Sequence, residues 1–172
     1  TAMPIRKYKP TSPGRRFQTV QVFDEITTDT PHRPLTESLK RSGGRNNTGE
    51  LTSFRGLDNQ AYYALVSSNK ASYWESTGCG NNLNTGHANT ALMVKDSLTY
   101  WMSKMGVDGF RFDLAPVIGR DAAPDYYYNP NALLIKDIAT LGVNNNAEMI
   151  AEAWDIGTYA VGTFPTNWGE WN

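Results

Sequence analysis

The chain of 172 residues has little cysteine, little histidine and no long apolar run. Its single cysteine, Cys79, excludes a disulfide within the chain, and its place between two glycines is typical of a small loop residue. Two histidines and one cysteine argue against a transition-metal site. No apolar stretch reaches the roughly 18 residues of a membrane-spanning helix, and no basic-then-apolar leader opens the sequence. Because the first residue is Thr1, the absent leader also fits a processed or truncated end.

The chain likewise lacks an excess of charge of one sign. A net charge of −1 gives no electrostatic reason to expect nucleic acid or an anionic membrane as a partner. With 40% hydrophobic residues, the composition predicts one soluble globular unit with a real core. Neither a cofactor nor a metal is predicted.

Aromatic residues, by contrast, are plentiful, with five Trp and nine Tyr. Many of them lie in stretches rich in Gly and Asn rather than in periodic apolar segments. Such side chains can close a core, or they can stack on the flat faces of sugar rings. Composition alone favours the structural role.

Apolar patterning predicts two helices and three strands. Irregular residues 1–16 precede a strand over 17–26 and a long polar loop over 27–53. Further along, the patterns predict a helix from Leu92 to Met105 ended by Gly106, a strand over 107–114, a helix over 131–141 ended by Gly142, a strand over 148–153 and a loop from Trp154 onward.

The alternation of helix and strand predicts a parallel sheet in an α/β fold. Asp113 and Glu152 lie at the carboxyl ends of two predicted neighbouring strands. In a parallel α/β barrel, that edge is where the catalytic groups lie. We therefore expect the two acids to project into one cleft.

Two facing carboxylates can hydrolyse a glycosidic bond by double displacement, one attacking as the anion and the other donating a proton. Arg111 lies on the same strand face as Asp113, where its guanidinium favours the ionised carboxylate. Glu152, between Ala151 and Ala153 and beside Trp154, has apolar sequence neighbours that favour its protonated form. Taken singly, an Arg-x-Asp on a strand is more often a structural ion pair than part of a catalytic site.

Several motifs resemble those of one family. Residues 107–115 (VDGFRFDLA) are similar to the nucleophile motif of the α-amylase superfamily, in particular its isoamylase and glycogen-debranching branch. Residues 151–157 (AEAWDIG) resemble the acid/base motif of that branch. Residues 54–63, 77–84 and 162–172 also resemble segments of debranching enzymes, so the resemblance covers residues 51–172.

The resemblance implies Asp113 as nucleophile, Glu152 as general acid/base, and Arg111 as the group that orients and charges Asp113. Tyr62, Tyr63 and Trp154 are candidates for contacting a glucan, although loop packing remains an equal alternative for either tyrosine. Asn81, Asn82 and Asn84 are expected to shape a loop, and His87 to lie in a loop or at a helix start.

The chain departs from the family pattern in two places. The first motif is matched only loosely near Asp24 and His32, so residues 1–50 are poorly matched. No third carboxylate with a preceding histidine follows Glu152, and a closed barrel takes about 250 residues. We therefore expect residues 51–172 to be the central portion of an incomplete (β/α)8 TIM-type barrel, from a fragment or a half that works with another chain.

The resemblance implies a glycoside hydrolase that cleaves the α-1,6 branch linkages of branched α-glucans such as amylopectin and glycogen, with retention. An α-1,4-acting amylase or a transglycosylase of the same superfamily would share every catalytic residue named. A non-catalytic glucan-binding or regulatory homologue is the alternative from another class, favoured by the missing third acid.

Overall fold

A computed structural model describes residues 17–21 and 54–171 of the chain. Asp24 and His32, and the predicted loop over 27–53, lie outside the described residues. The described part contains one sheet of four parallel strands: β1 (Phe17–Gln21), β2 (Gly109–Asp113), β3 (Glu148–Glu152) and β6 (Trp168–Trp171), in that order. The predicted parallel sheet is confirmed. Within the described residues the sheet is open, with β1 and β6 at its edges.

Helices and a small hairpin connect these strands. Helix α1 (Arg55–Tyr62) precedes α2 (Ala88–Met105), which leads into β2. A 3-10 helix (Ala115–Gly119) and α3 (Leu133–Asn144) join β2 to β3. The two-residue strands β4 (Trp154–Asp155) and β5 (Thr158–Tyr159) pair as an antiparallel hairpin between β3 and β6.

Helix α2 begins and ends where local chemistry dictates. His87 is the N-cap, and its imidazole Nδ1 accepts the backbone N–H of Asn89 at 3.2 Å. Gly106 ends the helix with a left-handed φ of 64° that a side chain would disfavour. Val94 and Leu98 face the core. The predicted helix, its glycine stop and the place of His87 at a helix start are confirmed.

The prediction that Gly142 ends the second helix is wrong, because α3 continues to Asn144. A Cβ at position 142 would lie 2.9 Å from Met149 Cγ and 3.0 Å from the carbonyl oxygen of Ala147. Glycine is therefore required by close packing of α3 on β3 rather than by a change of backbone direction.

The prediction of a loop from Trp154 onward is also wrong. The segment contains the β4–β5 hairpin and strand β6, which pairs in parallel with β3, Met149 opposite Trp168 and Glu152 opposite Trp171. The four-residue strand is too short for its alternation to stand out in the sequence. Its place is decided by pairing along β3 and by burial of Trp168.

The two faces of the sheet differ in chemistry. Phe110 and Phe112 of β2 are fully buried in a core cluster with Leu98 of α2 and Ile138 of α3. Because side chains alternate along a strand, Arg111 lies on the opposite face. A second, smaller cluster forms outside the sheet from Tyr63, Leu65, Tyr73 and Leu83.

Candidate active site

Arg111 joins the two predicted acids. One guanidinium nitrogen, Nη1, donates to Asp113 Oδ1, and the other, Nη2, lies 3.1 Å from Glu152 Oε2. The pairing of Phe112 with Ala151 brings the next residues of β2 and β3, Asp113 and Glu152, to the same edge. The structure therefore brings the three predicted catalytic residues together at the carboxyl ends of two neighbouring strands.

A strained residue completes the contacts of Glu152. Leu114, directly after β2, has left-handed backbone angles (φ 47°, ψ 50°), which cost a non-glycine residue on the order of 1–3 kcal/mol. In this conformation its backbone N–H donates to Glu152 Oε2 at 2.9 Å. The same carboxylate oxygen thus accepts the Leu114 N–H and pairs with the Arg111 guanidinium.

Glu152 has a raised pKa. Burial is the largest cause, and the hydrogen bond and negative charge of Asp113 act in the same direction. The Leu114 N–H and the Arg111 guanidinium oppose them. The net effect favours the protonated carboxyl, which is the form that a general acid requires.

The raised pKa of Glu152 agrees with the expectation from the sequence that this carboxyl group is protonated, but the physical cause of the shift is different. Ala151 and Ala153, whose apolar character suggested a protonated Glu152, belong to the core cluster behind the sheet. Alternation along the strand points Ala151 away from Glu152. Burial of Glu152 comes instead from its place at the strand edge, where its side chain is 16% exposed.

The three candidate aromatic residues lie in different surroundings. Tyr63 is buried and packs against Tyr73, with ring centroids 5.3 Å apart. Half-buried Tyr62 stacks on Phe54 at 5.0 Å. Trp154, two residues after Glu152, is 41% exposed on β4. Of the three, Trp154 therefore offers the most surface to a ligand, and the burial of Tyr63 supports the loop-packing alternative.

The asparagine-rich segment forms an internally bonded loop. Asn82 accepts the N–H of Ser76 at 2.9 Å and donates to its hydroxyl at 3.1 Å. Asn84 donates to the carbonyl oxygen of Gln60 at 3.1 Å, and Cys79 donates its N–H to Thr77 Oγ1 at 3.1 Å. The side chains of Asn81, Asn82 and Asn84 are all buried, in agreement with the expectation that they shape the loop.

Sequence reasoning missed two groups at the site, the N–H of Leu114 and the indole of Trp171. The Arg111 guanidinium carbon lies 4.8 Å above the Trp171 ring, a cation–π contact from β6. Alternation in WGEW, with Gly169 and Trp171 on one face, is the only sequence signal for it. The Leu114 contact has no sequence signal, since a leucine gives no sign of a positive φ.

Across residues 17–21 and 54–171, no group of three or more His, Cys, Asp or Glu side chains is arranged to hold a metal ion. Among the helices of the same residues, none combines the length and the apolar character that crossing a membrane demands.

Sequence comparison finds relatives named for glycogen and starch debranching. The chain is 44% identical over 133 residues to an isoamylase of a Flavobacterium species, covering 71% of the chain and 17% of the relative. It is 40% identical over 129 residues to the glycogen operon protein GlgX homolog of Mycobacterium tuberculosis, covering 74% and 18%. It is 40% identical over 136 residues to the glycogen debranching enzyme of Salmonella typhi, covering 78% and 20%. No family model matches.

Comparison with solved structures gives a similar result. A pullulanase from Bacillus acidopullulyticus superimposes with a TM-score of 0.50 at 29% identity, over 66% of this chain and 13% of the pullulanase. The chain therefore spans about a fifth or less of the length of the curated relatives quoted above.

Proposed function

The chain is a relative of the isoamylases and glycogen debranching enzymes, and from that premise we propose that it contributes to hydrolysis of α-1,6 branch linkages in starch or glycogen. The observation that supports this most directly is one guanidinium, Arg111, bound to two carboxylates at the carboxyl edge of a parallel sheet. Active sites of α/β barrels lie at that edge. The sheet is proposed to be part of such a barrel, with residues 51–172 as its central portion and residues 1–50 as a divergent segment that contributes the edge strand β1.

In the proposed mechanism, Asp113 attacks the anomeric carbon and Glu152 protonates the leaving glycosidic oxygen. A retaining hydrolase needs its two carboxyl groups only about 5 Å apart, and their shared contact with Arg111 supports such closeness. Arg111 would orient Asp113 as the attacking anion. After release of the first product, Glu152 as the carboxylate would take a proton from water, which then hydrolyses the glycosyl–enzyme ester.

The two oxygens of Glu152 have different roles in this proposal. Oε2 accepts the Leu114 N–H and pairs with the Arg111 guanidinium at 3.1 Å, and both of these groups are donors only. The transferable proton therefore belongs on Oε1. Trp154, exposed beside the acid, is the candidate for stacking on the branched α-glucan, with Tyr62 and Tyr63 as weaker candidates.

The nucleophile is tested by Asp113→Asn, assayed on amylopectin beside the wild-type chain. Loss of hydrolysis to background is expected because a neutral amide cannot form the ester intermediate. Asp137→Asn, a matched change on helix α3 where Asp137 pairs with Lys95 at 2.8 Å, should retain activity. Absence of activity in the wild-type chain as well would sink the enzyme proposal for these 172 residues and favour a glucan-binding role.

The acid is tested by Glu152→Gln on two substrates. Turnover of natural glucan should stop, because its leaving oxygen needs a proton, while a substrate with a good leaving group should still form the intermediate. Glu148→Gln, at the other end of the same strand, is the matched control. Equal impairment on both substrates would contradict the assigned role.

The linkage is tested by the products formed from amylopectin. Linear chains released without internal shortening would support α-1,6 cleavage. Internally shortened chains would support the α-1,4-acting alternative, which uses the same two carboxylates.

A further inference from the structure

A second ion pair lies beyond the carboxyl ends of the strands. Arg120 Nη2 and Asp155 Oδ2 are 2.5 Å apart, and the side chains are 8% and 0% exposed. Removing two charges from water is costly, and additional hydrogen bonds to both side chains offset part of that cost. The partners of both side chains therefore decide how firmly the pair is held.

Both members make several further bonds. Asp155 accepts from Ser76 Oγ at 2.8 Å and from the Gly157 N–H at 2.9 Å. Arg120 donates to the carbonyl oxygen of Tyr126 at 3.1 Å and to Thr158 Oγ1 at 2.9 Å, whereas its buried Nε has no hydrogen-bond partner among the described residues. The guanidinium also lies 5.1 Å from the centroid of the Trp74 ring. So many simultaneous contacts allow essentially one arrangement of the pair.

The position of the pair relates it to the two acids. Arg120 directly follows the 3-10 helix that leaves β2 after Asp113, and Asp155 lies three residues after Glu152. The pair therefore joins the two segments that leave the acid-bearing strands. Ser76 adds the asparagine-rich loop, because its carbonyl oxygen accepts the Ile156 N–H at 2.9 Å.

We propose that Arg120 and Asp155 are positioning residues for Glu152. Their buried pair, the Arg120–Asp155 clamp, holds the segment leaving β3 against the segment leaving β2. The Glu152 carboxylate is thereby kept against Arg111 and the Leu114 N–H. The claim that this placement of Glu152 serves catalysis rests on the proposed function. The claim that the clamp fixes where Glu152 lies does not.

The first test reads the position of Glu152 without any substrate. The Leu114 amide donates to Glu152, so its hydrogen exchange, measured by NMR and divided by that of the Phe112 amide in the sheet, reports whether this contact persists. In Asp155→Asn the ratio should rise by about tenfold or more, as expected for loss of a hydrogen bond to a charged group. Ser76→Ala, which removes one bond to Asp155, should give a smaller rise.

Two features keep this test decisive. Lys95→Met breaks a half-exposed ion pair in the helical layer and should leave the ratio unchanged. If Asp155→Asn does not fold, Ser76→Ala alone carries the test, because its truncation is mild. An unchanged ratio in the clamp variants that fold would overturn the proposal.

The second test reads catalysis. In Ser76→Ala and Asp155→Asn, kcat on branched glucan should fall, by up to about a hundredfold for Asp155→Asn, with KM changed little, because the acid is misplaced while the glucan contacts remain. The basic limb of the pH profile should also move, because the pKa of Glu152 depends on its burial and on its contacts with Arg111, Asp113 and the Leu114 N–H, all of which change when the carboxyl group is displaced. An unchanged limb with an unchanged kcat would contradict the clamp. Absence of wild-type activity would instead refute the proposed function, and the exchange ratio would still decide the clamp.

Discussion

At the scale of single residues, Glu152 is subject to influences of opposite sign. Burial and Asp113 favour its neutral form, while the Leu114 N–H and Arg111 favour the anion. The neutralising influences are larger, so the pKa is raised. A folded protein that holds an acid in this way gives up stability whenever that acid is ionised.

Glu152→Gln should therefore raise the free energy of unfolding at neutral pH. The folded-state pKa of Glu152 lies above the unfolded value, so wild-type stability falls as pH rises from about 4.3 through the folded pKa. The neutral amide avoids that loss. The gain should be present at pH 8 and should vanish at about pH 3, which lies more than one unit below the unfolded pKa, so that Glu152 is protonated in both states. Urea denaturation at the two pH values measures it, and a difference independent of pH would contradict the expectation.

The side chains that share one face of a strand were predictable from the sequence, because side chains alternate along a strand. Arg111 and Asp113 are two positions apart on a strand, so a shared face was certain once the strand was assigned. The positive φ of Leu114 and the Trp171 contact arise from how neighbouring strands are placed. Nothing adjacent to Leu114 in the sequence encodes its positive φ, and the short alternation in WGEW is the only sequence signal for the Trp171 contact.

At the scale of elements, Gly142 shows how packing overrides a local signal. Glycine after an apolar helical pattern is typical of a helix end, and at Gly106 that interpretation is correct. At Gly142 the helix continues, because α3 and Met149 of β3 approach too closely for a Cβ. Glycine thus permits a left-handed backbone at position 106, and it permits close packing of a helix on the sheet at position 142.

Gly142→Ala should destabilise the protein in spite of the higher helix propensity of alanine, which by itself would contribute about 1 kcal/mol. The added methyl group would lie 2.9 Å from Met149 Cγ and 3.0 Å from a backbone oxygen. Overpacking of this kind costs about 1–3 kcal/mol, so a net loss of about 1 kcal/mol in unfolding free energy is expected.

A second background checks the cause. In Met149→Ala, where the side chain that meets the new methyl group is truncated, the same Gly142→Ala change should cost less than in the wild type. An equal cost in both backgrounds would show that the clash with Met149 is not responsible.

At the scale of the whole molecule, the sheet separates a packing face from a chemical face. Phe112 is fully buried, with its ring centroid 4.8 Å from that of Trp168, and the next residue, Asp113, lies on the other face. Alternate residues of β2 thus contribute to the core and to the candidate active site. The helices cover the packing face, as shown by the core shared with Leu98 and Ile138.

Phe112→Ala should lower the free energy of unfolding by about 3–5 kcal/mol, the usual cost of truncating a fully buried phenylalanine. Tyr127→Ala removes an aromatic ring that is 70% exposed and should change stability by less than about 0.5 kcal/mol. Chemical denaturation of both variants against the wild type measures the contrast. Similar losses in the two variants would mean that the sheet face does not carry the core.

The sequence alone determined the order of the main elements, the parallel sheet and the edge at which Asp113 and Glu152 lie. These follow from short-range periodicity, which records the face of each helix or strand that is buried. Only the tertiary structure decided that β6 joins the sheet, that Leu114 donates to Glu152 and that Arg120 pairs with Asp155. The physical reason is that these contacts join residues from about 20 to 40 positions apart, or depend on a backbone angle that the residue itself disfavours, so no local pattern records them.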